Sequence, residues 1–191
     1  MDANKTVGGK IQTLRESKSI TIEELTERSG LTLEQVERIE NNIDIPSLAP
    51  LIKIARVLGV RLGTFLDDHD EIGPVICRKK EASKSISFSN NAVQSRKHME
   101  YRSLSSSKAD RHMEPFLIDV TPTDITDFAL SSHEGEEFIM VMEGIMEICY
   151  GKNTHILEEG DSIYYDSIIP HHVHSYQGKA AKILAVVYTP L

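Results

Sequence analysis

The sequence predicts a multidomain α and β protein, with an all-α head of five short helices joined to an all-β C-terminal part. Three observations predict this. Over the first seventy residues apolar positions recur at helical spacing, with capping residues between the runs. From Pro115 onward the pattern changes to short alternating strands separated by turn residues. The charge is also blocky: residues 1–70 carry 9 Lys/Arg against 12 Asp/Glu, residues 71–111 carry 9 against 4, and residues 112–191 carry 3 against 13. At 191 residues, 40% hydrophobic and 26% charged, the chain can bury a proper core. No stretch approaches the roughly 20 apolar residues of a membrane span. No apolar run follows a basic start, so no signal peptide is expected and the protein is expected in the cytoplasm. Cys77 and Cys149 are the only cysteines; they make no disulfide framework and are read as reduced thiols.

In the head, Val7, Ile11 and Leu14 form the first apolar stripe, and Ser17-Lys18-Ser19 breaks it. Thr21-Ile22-Glu23-Glu24 is a capping box opening a second helix with Ile22 and Leu25 inward. Gly30 suits the left-handed position after that helix. Thr32-Leu33-Glu34-Gln35 repeats the box and opens a third helix with Val36 and Ile39 inward, ended by Asn41-Asn42. Pro46-Ser47 starts a fourth, with Leu48, Leu51, Ala55 and Leu58 on one face, and Leu62, Phe65 and Leu66 give a short fifth. A helix, a turn with glycine and a second capped helix make the helix-turn-helix arrangement.

The string LRESKSITIEELTERSGLTLEQVERIENNIDIPSLAPLIKIARVLGV resembles the lambda-repressor-like DNA-binding domain of the xenobiotic-response-element (XRE) family, over about residues 7–66. The resemblance implies that the third helix enters the major groove of a double-stranded DNA operator. Thr32, Leu33, Glu34, Gln35, Arg38 and Asn42 would then face DNA, with Thr21 near a phosphate. The alternative is a packing module with no DNA partner. The segment is net acidic, and Glu34, Glu37 and Glu40 face a lone Arg38 on the third helix. A glutamate can accept from cytosine N4, but acidity lowers sequence-independent affinity, which comes from phosphate neutralisation.

Residues 71–111 form a basic, Ser- and Lys-rich connector. Pro74 to Arg78 is expected as a short strand and Ser103 to Ser107 as loop. Arg78, Lys79, Lys80 and Lys84 could touch a phosphate backbone, though a solvated face is the simpler reading.

In the C-terminal part, strands are expected at Phe116–Val120, Glu137–Met142, Ile145–Tyr150, Thr154–Leu157, Asp161–Tyr165, His171–Tyr176 and Ala181–Tyr188, with glycine turns at Gly144, Gly151 and Gly160. Such spacing means a sandwich or barrel. Two stretches stand out: His133-Glu134-Gly135-Glu136-Glu137 leading to Gly144, and Gly160 leading to Pro170-His171. Together they resemble the two signature motifs of the cupin barrel, the double-stranded β-helix. The resemblance covers about residues 74–190 and implies that the connector contributes the first barrel strands. The domains are therefore set at 1–70 (helix-turn-helix), 71–111 (connector) and 112–191 (cupin).

Residues two apart on a strand share a face. Glu137, Ile139 and Val141 therefore line one side, and His171 shares a face with Val173, while His172 and His174 point the other way as solvent or interface residues. The cupin resemblance implies that His133, Glu137 and His171 point inward together. Two imidazoles and one carboxylate form a facial triad that suits Fe(II), and equally Mn, Ni or Zn. A further histidine of the cupin pattern is replaced by Ser131, and Asp166-Ser167-Ile168-Ile169 stands where a Pro-x-Gly turn is usual. Without a metal the three side chains would form a hydrogen-bonded polar patch in an effector pocket with Ser131, Ile139, Val141 and Val173.

Two functions follow as expectations. In the first, a homodimer or higher homo-oligomer binds an operator and its barrels bind a small-molecule or metal effector; this is not an enzyme. In the second, the chain is a mononuclear non-heme iron cupin enzyme, similar in layout and in HxxxE…PH spacing to the epoxidase acting on hydroxypropylphosphonate. A phosphonate needs nearby cations, and after residue 111 the chain offers only Lys152, Lys179 and Lys182. The rest would come from Arg96, Lys97, Arg102 or the head.

Overall fold

A computed structural model of the chain describes residues 6–43, 47–66, 74–79, 99–108, 111–122 and 130–190. The expectations for Lys80, Lys84, Arg96 and Lys97 lie outside them. Five helices come first: α1 (Val7–Ser17), α2 (Ile22–Ser29), α3 (Leu33–Glu40), α4 (Leu48–Leu58) and α5 (Gly63–Leu66). Both expected capping boxes form. The Thr21 hydroxyl accepts from the Glu24 amide and the Glu24 carboxylate accepts from the Thr21 amide; Thr32 and Gln35 repeat the pattern. Gly30 takes the left-handed conformation (φ 66°) that ends α2 and aims the chain at α3.

The helices close over Ile11, Leu25, Val36, Leu51, Ile54, Leu58 and Phe65, all essentially without solvent exposure. Burying each such side chain contributes roughly 1.5–3 kcal/mol. One ion pair is buried with them. Arg15 donates from Nε to Glu40 Oε1 (2.7 Å) and from Nη2 to Oε2 (2.9 Å), and from Nη1 to the Ile20 carbonyl (3.1 Å). The Glu40 hydrogen bonds raise the Arg15 pKa above its ordinary value although burial works against them.

Eight strands follow: β1 (Met99–Ser103), β2 (Met113–Val120), β3 (Glu136–Glu143), β4 (Met146–Tyr150), β5 (Asn153–Leu157), β6 (Ser162–Asp166), β7 (His171–Ser175) and β8 (Ala181–Tyr188). They pair antiparallel in two sheets, of order β1-β2-β8-β3-β6 and β5-β4-β7. Alternate residues fill the space between them: Phe116 and Ile118 on β2, Ile139 and Val141 on β3, Met146 and Ile148 on β4, Ile183 and Val187 on β8. The fold is thus the expected helical head and antiparallel β domain.

Three local expectations need correction. Pro74 to Arg78 forms no strand. The connector's described strand is β1, with Ser103 as its last residue rather than part of a loop. Met99-Glu100-Tyr101-Arg102-Ser103 alternates weakly, and its place is set by its pairing with Val120 to Phe116 on β2. Finally, His172 is buried and His174 largely so, where solvent or interface residues were expected.

Head and barrel touch along one side. Arg111 and Glu114 form a buried ion pair (2.7 Å) beneath Gly63 of α5, where a Cβ would lie 2.7 Å from the Arg111 guanidinium. Arg56, near the end of α4, pairs with Glu134 at 2.5 Å.

Candidate functional site

Three elements deliver the triad. Glu137 is the second residue of β3 and His171 the first of β7. His133 lies on the approach to β3, which is stitched to the approach to β7. The Ser131 amide donates to the His171 carbonyl (2.8 Å) and the His171 amide to the Ser131 carbonyl (2.9 Å). The His133 amide donates to the Ser167 carbonyl (3.0 Å), and the Ser167 amide to the Gly135 carbonyl (2.9 Å). Gly135 is required there: its φ is 111°, and a Cβ would lie 2.0 Å from the Tyr188 carbonyl oxygen. The residue at the missing histidine's position, Ser131, therefore acts through its backbone as the bridge that brings His171 to His133.

The side chains converge as expected. His133 Nε2 lies 2.8 Å from Glu137 Oε1, and His171 Nε2 lies 3.5 Å from the same oxygen. Each imidazole is oriented from behind by a carbonyl, Glu134 for His133 Nδ1 (3.0 Å) and Ile169 for His171 Nδ1 (2.9 Å). A carbonyl accepts only, so each Nδ1 carries the hydrogen. Both Nε2 atoms then face one carboxylate oxygen, where a proton or a metal ion can lie between ring and carboxylate. The donor set fits a divalent metal: two Nε2 atoms and a carboxylate oxygen on one side, with Nδ1 anchored as metal-bound histidines usually are. Such an ion would act as a Lewis acid with open coordination positions.

Tyr165, opposite Glu137 in the β3–β6 register, donates from its hydroxyl to Glu137 Oε2 (2.6 Å). Burial and the neighbouring Glu137 charge push the Tyr165 pKa well above its ordinary 10, so it stays a donor. Burial works to raise the Glu137 pKa. Hydrogen bonds with His133, His171 and Tyr165 outweigh it and hold the carboxyl well below its ordinary 4.5. Tyr165 was not among the residues singled out from sequence, and its signal is positional: it is the cross-strand partner of the triad carboxylate.

A cavity of about 80 Å³ opens above the triad. That is several times the ~10–15 Å³ needed for one water. Ser131, Ile139 and Val173 line it with His133, Glu137 and His171, as expected. Val141 does not: it is fully buried one pleat deeper in the core. The sequence did not reveal that Ser47, Leu48 and Ala49, the first turn of α4, close the cavity from the head side, or that Met99 and Tyr101 of β1 form another wall. These contacts are made between domains, which strand periodicity does not report. No lysine or arginine is among the described lining residues. Arg102 pairs with Asp119, and Lys182 with Asp119 and Glu143.

On the head, Leu33, Glu34 and Gln35 are exposed at the start of α3, and Arg38 is half-buried one turn on. Thr21 and Thr32 are helix caps with exposed side chains. Asn42 is exposed, yet its amide is engaged internally: Oδ1 accepts from the Gly8 amide (3.0 Å) and Nδ2 donates to the Glu40 carbonyl (3.3 Å). The left-handed Asn42 (φ 55°) thus ties α1 to the end of α3.

Comparison with known proteins agrees with both halves of this architecture. Residues 11–65 match the helix-turn-helix family model and residues 118–187 the cupin domain model. The chain thus joins a head that matches helix-turn-helix domains to a C-terminal part that matches cupin domains. Its head is similar to the HTH-type transcriptional regulator SinR of Bacillus licheniformis, 33% identical over 66 residues, which are 34% of this chain and 60% of that protein. The chain therefore spans less than two thirds of that relative. Over nearly its whole length the fold is similar to an HTH_3 family transcriptional regulator from Vibrio cholerae (21% identity, TM-score 0.71, covering 99% of this chain and 97% of that one). It is also similar to an iron(II) form of HppE (24% identity, TM-score 0.51, covering 97% and 100%). Among the described residues no helix is long and apolar enough to cross a membrane.

Proposed function

We propose that this protein is a sequence-specific DNA-binding transcription regulator. Its head reads an operator through α3, with Thr32, Leu33, Glu34, Gln35 and Arg38 toward the bases and Thr21 toward a phosphate. Its cupin cavity binds the effector, a divalent metal held by His133, Glu137 and His171 or a small molecule seated on that metal. The observation that carries the reading is the cavity's boundary: the triad forms its floor, and the first turn of α4 forms part of its wall. The same helix pairs through Arg56 with Glu134, the residue next to His133. An occupant of the cavity therefore meets the head directly. In a homodimer, moving α4 would change the spacing of the two recognition helices and so the match to operator half-sites.

The test is binding of a labelled fragment from upstream of the protein's own gene. A regulator shifts it with a steep salt dependence, and saturating metal changes the affinity in wild type but not in His171→Ala. No shift at low salt on any such fragment would overturn the reading.

A second reading, a mononuclear iron enzyme, is favoured by the triad and by the fold likeness to HppE, a hydroxypropylphosphonic acid epoxidase. The described lining residues include no lysine or arginine, so a phosphonate substrate would rely on residues outside them, such as Arg96 or Lys97. Oxygen consumption by the Fe(II)-loaded protein with candidate substrates separates the two: an enzyme turns over, and a regulator takes up metal without turnover.

A further inference from the structure

The outer face of the three-stranded sheet holds a second donor cluster. Glu147 on β4 faces His174 on β7 in register, and Cys149 faces His172. Because residues two apart share a face, all four side chains lie on the side of the sheet away from the barrel cavity's triad. One ligand atom each from Glu147, Cys149 and His174 lies within 4.8 Å of the others. His174 Nε2 is 3.3 Å from Glu147 Oε1. A tetrahedral ion with nitrogen and oxygen at about 2.0–2.1 Å needs those atoms about 3.3–3.4 Å apart. The His172 ring stacks on His174 (centroids 5.4 Å, interplanar angle 24°) and fixes its plane.

We propose that Glu147, Cys149 and His174 form a second metal site, for a thiophilic divalent ion of the Zn²⁺ class, with water in the fourth position. The donor set carries the assignment: one sulfur, one imidazole and one carboxylate match the borderline-soft preference of Zn²⁺. The barrel triad has no sulfur and suits Fe(II). The strand scaffold is favourable too, because adjacent antiparallel strands hold facing residues at fixed separation without a loop to order. Binding releases the Cys149 thiol proton as the thiolate forms on the metal.

Cobalt reads the site independently of the barrel, since only a sulfur ligand gives an intense thiolate-to-cobalt charge-transfer band in the near ultraviolet. Reduced, metal-free full-length protein titrated with Co²⁺ is expected to develop that band in wild type, in Cys77→Ser and in His171→Ala. It is expected to be lost in Cys149→Ser and in His174→Ala, and Zn²⁺ should displace it. In parallel, the thiol count with a disulfide reagent is expected to fall from two to one on adding Zn²⁺, with Cys77 remaining reactive. Absence of the band in wild type, its survival in Cys149→Ser, or an unchanged thiol count with Zn²⁺ would each overturn the proposal. Retention in His171→Ala separates this site from the barrel's, so it can succeed or fail apart from the regulator reading.

Discussion

Two ionic clusters, Arg15–Glu40 in the head and His133–Glu137–His171 in the barrel, are built on opposite terms. In the head, Arg15 and Glu40 satisfy each other: two guanidinium donors meet two carboxylate oxygens, and a third donor meets a carbonyl. In the barrel, two imidazoles share one carboxylate oxygen. Both ring Nδ1 atoms are committed to carbonyls, and both Nε2 atoms face one carboxylate oxygen. The first pairs each carboxylate oxygen with its own donor, and the second brings two imidazoles to a single oxygen. Burial alone therefore does not mark a functional site; an unbalanced set of donors and acceptors does.

The largest expected effect breaks the head cluster. Glu40→Ala leaves the Arg15 charge buried with 12% of its side chain exposed. It should cost about 3–5 kcal/mol in chemical denaturation of the head. Replacing both residues with apolar ones of similar size should recover most of that loss. A double variant no more stable than Glu40→Ala would show that the pair does more than satisfy itself.

The barrel cluster should respond to ligand instead. At 100 times its dissociation constant, a divalent metal should raise wild-type stability by about 2.7 kcal/mol, read as a rise in Tm. Glu137→Gln and His171→Ala should lose the barrel site's share of that rise. An equal rise in either variant would place the metal elsewhere. Gly135→Ala should have the next effect: a side chain at φ 111° costs roughly 1–3 kcal/mol, and displacing the loop that carries His133 should weaken metal uptake as well.

Acid should act on the barrel cluster in a predictable direction. Folding lowers the Glu137 pKa below its ordinary 4.5. Its contribution to the metal-free protein is therefore complete above that pH and is lost as pH falls through 4.5 toward the folded value. The wild type should lose stability below about pH 5 more steeply than Glu137→Gln, by fluorescence-monitored denaturation across that window. Parallel profiles would mean that the carboxylate is not held in its charged form.

The contrast between the clusters also separates what the sequence could reveal from what it could not. The triad was legible because Glu137 and His171 lie at set points on strands whose alternation fixes their faces, and Ile139 and Val173 followed from the same parity. The head was legible from its caps: Thr21, Gly30 and Thr32 each hold the conformation their chemistry favours. Parity gives direction but not depth, so Val141 faces inward yet lies below the cavity. His172 and His174, expected as solvent or interface residues, are shielded. Tyr165 and the first turn of α4 depend on cross-strand register and on docking between domains, which leave no periodic trace in the chain. β1 escaped because a polar, serine-rich stretch becomes a strand through its pairing with β2.

The smallest effect on stability should be the most informative about coupling. Arg56 and Glu134 meet at 2.5 Å with 62% and 45% of their side chains exposed. An exposed pair of this kind contributes about 0–1 kcal/mol, so Arg56→Ala should unfold almost as the wild type does. Yet the pair joins α4, which also walls the cavity, to the loop that positions His133. If binding in the barrel reaches the head by this route, Arg56→Ala should leave both metal affinity and metal-free DNA affinity near wild type. The ratio of DNA affinities with and without metal should move toward one. Measuring all three in a thermodynamic cycle isolates the coupling from its endpoints. A variant that kept the full ratio would locate the connection in the first turn of α4, where Leu48 and Ala49 face the cavity. A variant that lost metal binding outright would mean that Glu134 acts chiefly by orienting His133 through its carbonyl.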